Sequence, residues 1–70
     1  SSCVIEINTN IGNNCNIQTG VIISGEVNIS KNVHLGSRSI IDSYINVGKN
    51  QYIKNNQHIT SSLKDLERKY

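Results

Sequence analysis

Isoleucine, leucine or valine recurs at every sixth position along most of the chain: Ile5, Ile11, Ile17, Ile23, Ile29, Leu35, Ile41, Val47, Ile53 and Ile59. These three residue types account for 20 of the 70 residues. Ten independent hits at one spacing would then arise with a probability of roughly four in a million, so the period reflects the fold. Four residues after each hit stand Thr9, Cys15, Val21, Val27, Val33, Ser39 and Ile45, all small or β-branched, before Gln51 and Gln57 break the rule and Leu63 restores it. Pairs such as Asn13-Asn14, Thr19-Gly20, Gly25-Glu26, Lys31-Asn32, Ser37-Arg38, Ser43-Tyr44, Lys49-Asn50 and Asn55-Asn56 separate the apolar positions. Most are rich in residues that tolerate positive φ or close Asx and Ser turns. Each hexad therefore predicts one short strand and one corner. Strand alternation puts Val21 and Ile23 inside and Ile22 outside. Three such faces close an 18-residue coil, and the predicted architecture is an all-β parallel β-helix of about three coils over residues 1–61.

The hexad pattern stops after Thr60. Ser62, Leu63, Asp65, Leu66, Glu67 and Tyr70 predict a short capped helix over residues 62–70, with Asp65 three residues after Ser62 and Leu63, Leu66 and Tyr70 on one side. Such a helix would lid the last coil and cover its unpaired edge. The first coil has no comparable cap and no Met opens the chain, which leads to the expectation that earlier coils or a partner lie against it.

Residues eighteen apart stack in this fold, so the outward residue before each inward aliphatic falls into one of three columns. The first holds Val4, Ile22, Ile40 and then His58; the second Asn10, Asn28 and Asn46; the third Asn16, His34 and Tyr52, ending near Tyr70. An outward stripe of Val and Ile is costly in water and predicts a subunit interface, with a three-sided prism pointing to a homotrimer. Cover by another segment of the same chain is the alternative. The Asn column reads as a stabilising amide ladder. In the third column His34 places an imidazole among polar neighbours, a candidate for proton transfer, against the plainer reading of a surface histidine. His58 reads as a surface residue at the frayed end. Glu6 and Asp42 share a corner column but lie two coils apart, too far for a paired-carboxylate mechanism.

Composition and charge narrow the function further. The net charge is +2, and Lys and Arg are scattered without interleaved aromatic residues, which gives no support to nucleic-acid binding. The longest apolar run, Val21-Ile22-Ile23, is far short of a membrane span. Cys3 and Cys15 form no CxxC and have no His at ligand spacing, so no metal site is predicted. Two unpaired cysteines fit the cytoplasm. Gly12, Gly36 and Gly48 directly follow inward aliphatics and open corners; no helix follows them, as a phosphate-binding loop requires.

Ile11-Gly12-Asn13-Asn14-Cys15, Ile29-Ser30-Lys31-Asn32-Val33, Leu35-Gly36-Ser37 and Val47-Gly48-Lys49-Asn50 resemble the hexapeptide-repeat acyltransferases, which fold as left-handed parallel β-helices. The resemblance covers about residues 3–66. More narrowly, Ile22-Ile23-Ser24-Gly25-Glu26-Val27-Asn28-Ile29, then Leu35-Gly36, then Leu63-Lys64-Asp65 resemble the C-terminal domain of sugar O- and N-acetyltransferases of the sialic acid O-acetyltransferase type. That resemblance implies trimers with active sites between subunits, acetyl-CoA as co-substrate, and a His general base acting on a sugar or nucleotide-sugar hydroxyl or amine. It also implies a separate N-terminal sugar-binding domain. In the matching register the family's general-base His falls on Ile7 and its second, cofactor-contacting His on Asn16. Cofactor binding is implied at Asn16, Gly36, Ser37 and Asn55. His34, one coil beyond Asn16, is the candidate base in place of the missing one. The alternative is a non-catalytic β-helix scaffold or oligomerisation module, which the absence of His at position 7 supports.

Overall fold

The chain bends at every sixth residue because the second residue of each corner has a backbone that turns left. A computed structural model describes residues 2–69. In it Asn8, Asn14, Glu26, Asn32, Arg38, Tyr44, Asn50 and Asn56 have φ between 59° and 65°, and Gly20 has φ 77°. Five of these nine positions are Asn and one is Gly, the residues that enter this region at least cost. Glu26, Arg38 and Tyr44 are held there by the repeat itself.

Between corners the chain forms two-residue strands stacked in parallel into three sheets. The first contains β1 (Val4–Ile5), β4 (Ile22–Ile23), β7 (Ile40–Ile41) and β10 (His58–Ile59). The second contains β2 (Asn10–Ile11), β5 (Asn28–Ile29) and β8 (Asn46–Val47), and the third β3 (Asn16–Ile17), β6 (His34–Leu35) and β9 (Tyr52–Ile53). Every pairing joins residues eighteen apart, as in Val4 with Ile22 and Asn16 with His34. The result is a three-sided parallel β-helix of the left-handed, hexad-repeat type, 29 × 20 × 20 Å in extent.

Amides of the outward strand residues donate forward to the next turn, as from Val4 to Val21 (2.9 Å) and from Asn28 to Ile45 (3.0 Å). Corner amides donate backward, as from Glu26 to Ile7 (3.0 Å) and from Asn56 to Ser37 (2.8 Å). The core follows the two inward positions of each hexad: Val21, Ile23, Val27, Ile29, Val33, Leu35, Ile41, Ile45, Val47 and Ile53 are buried. Where a small polar residue takes an inward position, it donates to a carbonyl fifteen residues on. The Cys3 thiol reaches the Gln18 carbonyl at 3.1 Å, the Cys15 thiol that of Ser30 at 3.1 Å, and the Ser39 hydroxyl that of Lys54 at 2.9 Å. Thr9 occupies the same position, but its buried hydroxyl has no partner.

The predicted capping helix does not form; the described residues contain no helix, and Tyr70 lies outside them. Leu63 instead bridges Val47 in parallel, with the Leu63 amide donating to Asn46 (2.9 Å) and its carbonyl accepting from Gly48 (2.8 Å). This segment stacks at an offset of sixteen residues rather than eighteen, so the last corner is two residues short. Side chains complete the closure. Ser62 Oγ accepts from the Asn46 amide at 3.0 Å, Asp65 Oδ1 accepts from the Lys49 amide at 2.8 Å, and Gln51 Nε2 donates to the Lys64 carbonyl at 2.7 Å. A helix would have spent the Leu63 backbone groups on its own turn and left the edge of β8 unpaired. Gln51, which breaks the apolar pattern of its column, is thereby a tether for the final segment.

Candidate functional site

The predicted site residues gather on the third sheet and on the corner that ends it. Asn16, His34 and Tyr52 stand in register on the outer surface of β3, β6 and β9. The His34 and Tyr52 rings lie parallel, with centroids 4.5 Å apart and planes 5° apart. His34 is half-buried and Asn16 exposed. Parallel rings at this spacing are stacked, an arrangement in which aromatic pairs attract one another.

Gly36, Ser37 and Asn55 meet at the adjoining corner, where the geometry is tight. The Ser37 amide donates to Asn55 Oδ1 at 2.8 Å. A Cβ on Gly36 would lie 2.5 Å from the Asn55 amide nitrogen and 2.6 Å from Asn55 Oδ1. Gly36 is therefore required by the approach of the next turn. Asn55 takes the hydrogen bond that a ligand would otherwise receive from Ser37. Next to it, Arg38 Nε donates to Asn56 Oδ1 at 3.1 Å, one more bond between residues eighteen apart.

A second cluster was not anticipated. His58 Nε2 and Asp42 Oδ1 lie 2.7 Å apart on the first sheet. His58 pairs with Ile40, and Asp42 lies two residues beyond Ile40, so the contact is diagonal across adjacent turns. A search along columns of eighteen misses a pair separated by sixteen. The register brings the two positions near each other, one residue past the first-sheet strand and one turn above, but whether the side chains meet is settled by their conformations. The two side chains are 56% and 42% exposed, which places the pair in water, where such pairs contribute about 0–1 kcal/mol.

Below His58 the same face presents Val4, Ile22 and Ile40 in register, with Val4 48% and Ile22 40% exposed. Three branched side chains thus form a vertical apolar stripe on a flat sheet. No group of three His, Cys, Asp or Glu side chains converges among the described residues. No helix among them is long and apolar enough to cross a membrane. No family model, curated protein or solved structure matches the chain.

Proposed function

We propose that the chain is a β-helical scaffold whose three flat faces present different chemistry to different neighbours, and that it assembles as a homotrimer through the face carrying Val4, Ile22 and Ile40. The observation that carries this reading is the exposed, in-register apolar stripe on the first sheet. Covering it removes apolar surface from water, and a three-sided prism packed on equivalent faces closes naturally about a threefold axis. The free thiols of Cys3 and Cys15 support a cytoplasmic setting for this module. The test is sedimentation equilibrium of Ile22→Lys and Ile40→Lys. Both variants are expected to be folded monomers, because a charge at the centre of the face would be buried unpaired. Trimers of unchanged mass would overturn the interface.

A second reading, acetyl transfer from acetyl-CoA to a sugar or nucleotide-sugar hydroxyl or amine, draws support from His34. Its ring stacks on Tyr52 in the column that also holds Asn16. In this reading His34 accepts the proton of the acceptor group as that group attacks the thioester carbonyl, and the coenzyme thiolate leaves. Asn16, Gly36, Ser37 and Asn55 line the cofactor path, with Ser37 acting through groups other than its amide. Thermal unfolding with acetyl-CoA, against adenosine bisphosphate as control, tests the reading without a choice of acceptor. A ligand that binds only the folded state raises its melting temperature in a concentration-dependent way. The expected result is a rise specific to acetyl-CoA, with turnover lost in His34→Ala. No shift in a folded sample leaves the scaffold alone.

A further inference from the structure

Folding into coils sorts charges that look scattered along the chain. The carboxylates of the coils, Glu6, Glu26 and Asp42, all lie at the corner between the first and second sheets. The corner between the third and first sheets carries Arg38 and Lys54 instead, and Lys31 and Lys49 lie at the remaining one. The face with the apolar stripe is therefore edged by anions on one side and cations on the other.

The rung through β7, with β4 on one side of it and β10 on the other, carries both signs. Arg38, Ile40 and Asp42 alternate with Ser39 and Ile41, which are fully buried, so a cation, an aliphatic side chain and an anion stand in one line on the outer surface. The adjacent rungs have Gly20 and Ser24, and Asn56 and Thr60, at the edge positions. Four residues of extended chain set Arg38 and Asp42 roughly 13 Å apart, too far for an ion pair within one chain. Arg38 Nε donates to Asn56, and Asp42 Oδ1 meets His58. The terminal guanidinium nitrogens of Arg38 and Oδ2 of Asp42 have no partner among the described residues.

We propose that a second copy packs on this face with its prism axis parallel, and that Arg38 of one copy pairs with Asp42 of the next at the same height. The inference rests on the lateral interface through Val4, Ile22 and Ile40 and adds its orientation and register. Rotation about an axis parallel to the prism leaves heights unchanged and brings the Asp42 edge of each copy against the Arg38 edge of its neighbour. A second copy is the fitting occupant because the face becomes complementary to itself under that rotation. An antiparallel pair would set like edges together, and like charges around an apolar contact oppose association. A slide of one turn would set Arg38 against Ser24 or Thr60. The apolar stripe attracts without direction, whereas the charged edges fix which way round the copies meet. Two terminal nitrogens on a planar guanidinium suit a carboxylate at that edge.

Charge reversals read by sedimentation equilibrium test this, with circular dichroism to check that each variant is folded. Arg38→Glu and Asp42→Lys each set like charges across every contact and are expected to raise the concentration at half assembly about tenfold or more. Glu26 shows that a glutamate is accommodated at the φ of Arg38. The double variant Arg38→Glu/Asp42→Lys restores unlike pairs and is expected to assemble as the wild type does. Asp42→Lys also loses the bond to His58, but that loss persists in the double variant, so recovery there comes from the contact between copies. Should a reversal unfold, Arg38→Gln and Asp42→Asn are read instead; each is expected to weaken assembly, and both together no more than either alone, as for two ends of one bond. Wild-type assembly that Ile22→Lys abolishes and both reversals leave unchanged keeps the lateral interface and overturns the pairing. Weakening in the single reversals with no recovery in the double variant also overturns it. A wild-type chain that stays monomeric, or that still assembles as Ile22→Lys, overturns the interface and this inference together.

Discussion

At the scale of single residues, the corners set the demands. Nine consecutive corners need a left-handed residue, and Tyr44 meets that need poorly, with φ 64° and a side chain 80% exposed. Its ring is mostly in water, so the strain has little compensating burial. Tyr44→Asn is expected to stabilise the fold by about 1 kcal/mol, since a non-Gly residue in this region costs roughly 1–2 kcal/mol and Asn less. Urea unfolding, with a higher midpoint at an unchanged slope, checks this. Gly36 is the opposite case. Gly36→Ala would press a methyl group against the Asn55 backbone and is expected to cost about 1–3 kcal/mol by the same measurement. A merely permissive corner there would show almost no change.

At the scale of elements, no strand stands alone. Each is two residues long, and its bonds go to strands one turn away, so local propensity contributes little and stacking contributes most. The final segment shows how this works. Ser62 to Leu66 is rich in helix-compatible residues, yet the edge of β8, which would otherwise stay unpaired, and Val47, which would otherwise lose its cover, draw it into an extended bridge. Asp65 holds that bridge by accepting from the Lys49 amide. Asp65→Ala is expected to speed hydrogen exchange at Lys49 and Leu66 about tenfold while leaving the melting temperature nearly unchanged, because only local opening is affected. Loss of protection across the whole prism would mean that the last segment is integral to the cooperative unit.

At the scale of the whole molecule, burial is graded along the axis. The middle turns are covered above and below, whereas the first has neighbours on one side only. Leu35→Ala is expected to cost about 2–5 kcal/mol, as for a fully buried aliphatic, and Ile11→Ala less than half as much. Equal losses in the isolated chain would show that the first turn is covered in solution.

Much of this could be read from the sequence. The unbroken run from Ile5 to Ile59 specifies coil length, register and which side chains enter the core, because a repeat that stacks on itself at eighteen residues leaves each position one environment. The columns Val4–Ile22–Ile40 and Asn16–His34–Tyr52 follow from the same count. Three features were decided only in three dimensions. The Asp42–His58 pair lies across turns at an offset that the period does not contain. The Ser37 amide is occupied by Asn55, which depends on where one side chain points. The fate of residues 62–66 turned on an unpaired edge sixteen residues away. A helical signature describes what a segment can do in isolation, whereas the open ladder of β8 supplied hydrogen bonds and an apolar surface that a helix could not use.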